Sequence, residues 1–188
     1  MISVRTRPAT AADAAAICEI YNHFVRETVI TFEVDEVTPD TMAGRIAKVV
    51  ELGLPWLVAE ESGPVADPRG AKRVVGFAYA APYRDRAAYD HTVEVTIYLH
   101  PEEVGRGIGT ALYAELFEQL RNLDPATSPR APVHSLVSVI ALPNDASVSL
   151  HERLGFEPGG ILRESGRKFD SWIDVGLWQL PLEGYWAD

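Results

Sequence analysis

Apolar positions along the chain switch between a spacing near 3.6 and a spacing of 2, and each switch marks a new element. Ile17, Ile20, Tyr21 and Phe24 recur at helical spacing behind Thr10 and Asp13, a pair with the form of a capping box, and predict a helix over 11–26. Thr38 followed by Pro39 is an N-cap with a first-turn proline, and Gly53 is a natural stop, so a second helix is predicted over 39–52. A short strand over 3–7 precedes the first helix. β-Rich runs over 56–60, 74–80 and 93–99 follow the second, and the Gly, Pro and Asp residues of 62–70 read as a hairpin loop. After Gly107, residues Leu112, Leu116, Leu120 and Leu123 return to helical spacing until the proline-rich segment 125–132 breaks it. The remainder predicts a strand over 136–142, a short helix over 145–154 stopped by Gly155, and two strands, 161–163 and 172–180.

Three consecutive strands imply an antiparallel meander, and the later strand–helix–strand unit makes the sheet mixed, so the expected class is α+β. A chain of 188 residues, 47% of them apolar, is sized for one well-filled core, and a single domain over 1–188 is expected. The formal charge is −10 and the basic residues are dispersed, which argues against nucleic acid as a partner. An anionic ligand must therefore be held by local donors. The lone cysteine, Cys18, falls in a helical apolar pattern; it offers neither a disulfide nor a thiolate metal site, and a reducing cytoplasm fits. No metal is expected. No window is apolar for long enough to span a bilayer, and the first residues, Met1 to Arg5, lack the form of a leader, so no membrane partner is expected either.

Chemistry concentrates in three places. Val104-Gly105-Arg106-Gly107-Ile108-Gly109-Thr110 follows a strong strand and opens a strong helix. Glycines let backbone approach a ligand, and the unpaired first amides of a helix favour negative charge, so a pyrophosphate would fit. Such a turn without its context is as readily ligand-free. Three antiparallel strands upstream argue against a dinucleotide fold, and no Gly-Lys-Ser/Thr follows for a nucleoside triphosphate. In the strand 93–99 the aliphatic residues take the odd positions, which leaves Glu94, Thr96 and Tyr98 on the other face. A mid-strand carboxylate is either solvated or has a task, and removing a proton from an ammonium is one such task. Asn144, Ser147 and His151 stand at i, i+3 and i+7 on one stripe of the short helix, with Ala146, Leu150 and Leu154 on a core stripe. The plain alternative is an N-cap at 144 and a surface histidine at 151.

A meander strand, a Gly-x-Gly-x-Gly turn, a helix, and then Asn144-x-x-Ser147-x-x-x-His151-x-x-x-Gly155-Phe156 together resemble the GNAT superfamily of acyl-CoA-dependent N-acyltransferases. That resemblance implies a GNAT-type sheet flanked by helices and acetyl-CoA as cosubstrate. It assigns Gly105, Arg106, Gly107, Gly109 and Thr110 to the pyrophosphate, with Ile97, Leu99, Val104, Asn144 and Ser147 also on the cofactor. Val104 stands where the family pattern has Gln or Arg, so weaker phosphate contacts are expected there. With the phosphate loop directly downstream, the mid-strand carboxylate of Glu94 is the expected general base, acting directly or through a water. His151 occupies a place where many members carry a tyrosine, and either protonates the departing thiolate or orients the substrate.

Within the superfamily the chain is similar to phosphinothricin and methionine sulfoximine or sulfone acetyltransferases. The matching segments include Ile30-Thr31-Phe32, Pro55 to Glu60, Arg86-Ala87-Ala88-Tyr89-Asp90, Leu142-Pro143-Asn144-Asp145 and the tail from Trp172 to Gln179. This closer likeness places Arg84, Arg86, Tyr89, Phe32 and Tyr98 over a small amino-acid-like substrate, where guanidinium donors suit its anionic groups. It also implies a homodimer in which Lys168, Phe169 and Trp172 act across the interface. No function is assigned to the insertions 63–72 and 125–132. Two rival readings remain. A non-catalytic acyl-CoA-binding module would need no Glu94 with His151, and an acetyltransferase of protein N-termini or lysines would favour an acidic groove over Arg84 and Arg86.

Overall fold

The computed structural model describes residues 3–62, 72–128 and 130–182, so the expected loop 62–70 and the insertion 63–72 lie almost wholly outside the described residues. Strand β1 (Ser3–Pro8) enters a 3-10 turn (Ala11–Asp13) and helix α1 (Ala14–Glu27). The Thr10 backbone N–H donates to the Asp13 carboxylate at 2.8 Å, and Arg7 grips the same carboxylate at 2.7 Å, so charge and cap together fix where the helix begins. Helix α2 (Pro39–Glu51) starts where Thr38 Oγ1 accepts from the Thr41 N–H. Strands β2 (Trp56–Ser62), β3 (Arg73–Pro82) and β4 (Thr92–Leu99) form the meander with β1. Helix α3 (Ile108–Arg121), β5 (Ser135–Leu142), α4 (Asp145–Arg153), β6 (Glu157–Lys168) and β7 (Ser171–Pro181) complete the chain.

The seven strands run in the order β1-β2-β3-β4-β5-β7-β6, and only β4 and β5 are parallel. Parallel neighbours cannot be joined by a tight turn, and α3 supplies the crossover. The result is the expected α+β class with a mixed, mostly antiparallel sheet. The sheet's two faces differ in side-chain size. On one, Gly76, Ala78 and Ala80 lie opposite Leu99, Ile97 and Val95, and α3 closes in; a Cβ on Gly76 would stand 2.5 Å from the Leu99 side chain. On the other, Phe77 and Tyr98 meet α1, with the Tyr98 ring 5.1 Å from Tyr21 and 5.2 Å from Phe24. Ile17, Leu57, Phe77, Leu112, Leu116 and Leu136 are completely buried, each contributing about 1.5–3 kcal/mol of transfer free energy.

One irregularity positions the site. β4 and β5 pair only at Thr92↔Ser135, Val93↔Leu136 and Glu94↔Val137, after which they part. β4 stays paired to β3 as far as Leu99, and β5 to β7 as far as Leu142. A wedge therefore opens inside a sheet that is otherwise continuous.

Two expectations change. β6 is four times longer than the strand expected at 161–163, because β7 templates it from Glu157 to Lys168 although its own side chains are nearly all exposed and show no alternation. Its ladder is interrupted between Leu162 and Gly166, where Glu164 has φ 49°. The segment 125–132 does more than end α3. Ser128 is buried and donates to the Leu52 carbonyl, directly against Gly53, whose φ is 67°. Among the described residues no helix is long and apolar enough to cross a membrane.

Candidate active site

The wedge between the parted strands is a cavity of about 570 Å³. Val95, Thr96, Ile97, Tyr98 and Leu99 line one side, residues 138–141 of β5 the other, and the glycine loop and α4 its mouth. Glu94 is the last residue of β4 paired with β5, one position before this lining begins and itself outside it, so it stands at the closed vertex of the wedge. It shares the α1-side face with Thr96 and Tyr98, as the alternation predicts. Burial pushes the Glu94 carboxyl above the ordinary glutamate range, while Arg84 pulls it back.

The cofactor-side residues converge. Val104, Gly105, Gly107, Gly109, Thr110, Ile97, Leu99, Asn144 and Ser147 all line the cavity. Gly105 and Gly107 have φ 81° and 78°, a left-handed backbone that side chains rarely adopt. The first intrahelical bond of α3 runs from the Ala111 N–H to the Gly107 carbonyl, which leaves the amides of Ile108, Gly109 and Thr110 without an intrahelical acceptor. No side chain caps this helix. Free amides, a helix dipole and room for the backbone to approach form a site suited to a pyrophosphate. Arg106 behaves differently: its guanidinium turns away to Glu61 and Glu103.

On α4 the expected division into a polar and a core stripe does not hold. Asn144 Oδ1 accepts from the Ser147 N–H at 3.2 Å, so Asn144 is the N-cap and lines the cavity as well. Ala146, expected in the core, is exposed at the mouth, while His151 is 1% exposed. His151 is thus no surface histidine. Its Nδ1 lies 2.7 Å from the Ser147 carbonyl, which can only accept, so Nδ1 carries the hydrogen. In the neutral ring Nε2 is then an acceptor, and the Tyr113 hydroxyl donates to it at 3.0 Å. Burial holds the imidazole below its ordinary pKa, against the raising effect of the Ser147 carbonyl. The ring is neutral at pH 7 with both nitrogens occupied.

The residues expected over the amine are less tightly assembled. Tyr98 lines the cavity; Phe32, Arg84, Arg86 and Tyr89 are outside its lining. Arg84 sits 5.0 Å over the Tyr83 ring, Tyr83 meets Tyr89 edge-on at 5.7 Å, and Arg86 is exposed in the same β3–β4 connection. Phe32 rests on Gly166, where a Cβ would be 2.1 Å from its ring. Lys168, expected to reach a partner, turns inward instead. It is 4% exposed, and its Nζ donates to the carbonyls of Thr31, at 2.8 Å, and Phe24, at 3.4 Å. Phe169 and Trp172 project from the β6–β7 turn, 57% and 62% exposed.

Sequence reasoning missed Tyr113, Thr96 and the β5 segment 138–141 as cavity residues. Tyr113 reads as one more apolar position of α3. Thr96 was visible on the polar face of β4 but carries no charge to single it out. For 138–141 no signal exists, because where a strand parts from its neighbour is not written in its own pattern.

The comparisons with known proteins agree with this geometry. Residues 19–156 match the model of the acetyltransferase (GNAT) family. The chain is 40% identical to a phosphinothricin N-acetyltransferase of Streptomyces viridochromogenes, over 96% of this chain and 88% of that one. It is 34% identical to an L-methionine sulfoximine/L-methionine sulfone acetyltransferase of Salmonella typhimurium, over 96% of each. A GNAT superfamily phosphinothricin acetyltransferase from Sinorhizobium meliloti, solved in complex with acetyl-CoA, superposes with a TM-score of 0.82 at 36% identity, covering 95% of this chain and 88% of that one. With the splayed strands, the uncapped glycine loop and these likenesses over nearly its whole length, the chain belongs to the GNAT family of acetyltransferases.

Proposed function

We propose that this enzyme transfers the acetyl group of acetyl-CoA to the amino group of a small amino-acid-like molecule, of the phosphinothricin, methionine sulfoximine or methionine sulfone kind, with 1–188 acting as one catalytic domain. The position of Glu94 carries the proposal: a carboxylate at the vertex of a wedge whose mouth is an amide-lined anion site. The glycine-loop amides hold the pyrophosphate, and the parted strands take the pantetheine arm and bring the thioester toward the vertex. The amine arrives as an ammonium, since α-amino groups have pKa values of about 8, and it must lose a proton before it attacks. Glu94, directly or through a water, takes that proton, and its raised pKa makes it a better acceptor than a surface glutamate. Arg84, Arg86 and Tyr89 hold the anionic end of the substrate, with Phe32 and Tyr98 as walls.

Of the two roles open to His151, its environment favours positioning over proton donation. A buried neutral ring whose Nδ1–H is spent on the Ser147 carbonyl has no proton free to give, and its Nε2 fixes the Tyr113 hydroxyl at the cavity wall. The enzyme acts as a homodimer in this reading, supported by the apolar side chains of Ile161, Leu162, Phe169 and Trp172 exposed along β6 and β7.

A panel of amino acids and amino-acid analogues, assayed with acetyl-CoA and a thiol reagent, tests the proposal. Thiol release that depends on the amine, and is strongest for sulfoximine-, sulfone- or phosphinyl-bearing amino acids, is the expected result. Release only with peptide N-termini or lysines, or binding of acetyl-CoA without turnover, would replace it by one of the rival readings.

A further inference from the structure

We infer that Arg106 is a positioning residue: its guanidinium bridges two buried carboxylates and pins the glycine loop, and does not itself take the cofactor's phosphate. The inference rests on the proposed use of that loop for acetyl-CoA. Glu61, at the end of β2, and Glu103, in the 3-10 turn Pro101–Glu103, have side chains only 5% and 7% exposed. Arg106 Nη2 donates to Glu61 Oε1 at 2.9 Å, and Nη1 donates to Glu103 Oε2. The other Glu103 oxygen accepts from Arg73 at 3.3 Å, whereas among the described residues Arg106 is the cation paired with Glu61.

The loop has little else to fasten it. Gly105 and Gly107 are exposed, and a Cβ placed on either would meet nothing within 4 Å, so open space flanks Arg106 on both sides. Both glycines are left-handed and carry no side chain with which to anchor the turn. A loop built this way keeps its amides aimed at a ligand only if something else fixes it, and the planar fork of arginine can reach two carboxylates at once. The same contact solves an electrostatic problem. Two carboxylates buried beside an anion site repel the anion, and Arg106 with Arg73 cancels them.

The decisive variant leaves Arg106 untouched. If Arg106 bound phosphate directly, Glu61→Gln would remove a competing negative charge and leave acetyl-CoA binding unchanged or tighter. The latch predicts the opposite sign. Isothermal titration should show the dissociation constant for acetyl-CoA rising roughly three- to thirtyfold in Glu61→Gln and in Arg106→Gln, with the double variant little worse than either, and kcat at saturating acetyl-CoA within about twofold of wild type. Glu103→Gln, which removes the other bridged carboxylate and leaves Arg106 in place, guards against a Glu61→Gln chain that fails to fold: weakened binding supports the latch, and unchanged or tighter binding overturns it. Wild-type affinity in Glu61→Gln beside a weak Arg106→Gln would overturn it too. A wild-type protein that does not bind acetyl-CoA would instead remove the function on which it rests.

Discussion

At its mouth the cavity is made of backbone: left-handed glycines at 105 and 107, the free first-turn amides of α3, and the parted edges of β4 and β5. Beyond its closed end, outside the cavity lining, stand side chains drawn from distant parts of the chain: Glu94 from β4, Arg84 and Tyr89 from the β3–β4 connection, and Phe32 against Gly166 of β6, next to Thr31, whose carbonyl Lys168 holds. The contrast says how such an enzyme can vary. A pyrophosphate recognised by amides needs one local geometry and little choice of side chain, whereas an amine substrate is recognised by side-chain identity, and one change can reorder similar ligands.

Separate variants at the two ends should therefore fail in different ways. The largest effect is expected from Glu94→Gln, which should lower kcat by about 10²–10⁴-fold in steady-state assays while acetyl-CoA affinity is kept. The same change should not destabilise the protein. Glu94's folded-state pKa is raised, so the folded state holds the proton more tightly than the unfolded chain. Ionising it therefore costs stability, fully above the folded pKa and not at all below the ordinary value of about 4.3. In thermal melts at pH 7 the Gln variant should match or exceed wild type, and the advantage should vanish as the pH falls below about 4. Gly107→Val forces a β-branched residue into φ 78°, at a strain of about 1–3 kcal/mol, and titration should show acetyl-CoA binding weakened by about tenfold or more with the rate at saturation little changed. Lys168→Met, read by steady-state kinetics, should be the mildest. It frees the carbonyls of Thr31 and Phe24, loosens the wall that carries Phe32, and raises KM for the amine about fivefold while KM for acetyl-CoA stays put.

The same contrast governs what the sequence revealed. The caps at Thr10 and Thr38, the leucine spacing of α3 and the alternation of β4 are local signals, and the elements they predict are present with shifts of a few residues. The glycine loop is also local, since its glycines, the strand before it and the helix after it are contiguous. What stayed hidden is relational. β6 exists at its full length because β7 templates it, the wedge exists because β5 leaves β4 after Val137, and His151 is buried among rings from elsewhere, Tyr113 on another helix and Phe156 beyond its own. Lys168, expected from the resemblance to act across an interface, is tied within its own chain to the carbonyls of Thr31 and Phe24, contacts no local pattern announces.

The pH dependence of single-turnover acetyl transfer, measured for wild type and Glu94→Gln at saturating acetyl-CoA, probes the claim that the vertex carboxylate takes the amine's proton. Wild type should show an acidic limb at higher pH than the ordinary glutamate value of about 4.3, and that limb should disappear in the variant, whose residual rate tracks only the fraction of free amine. An acidic limb of unchanged position and amplitude in Glu94→Gln would contradict the account.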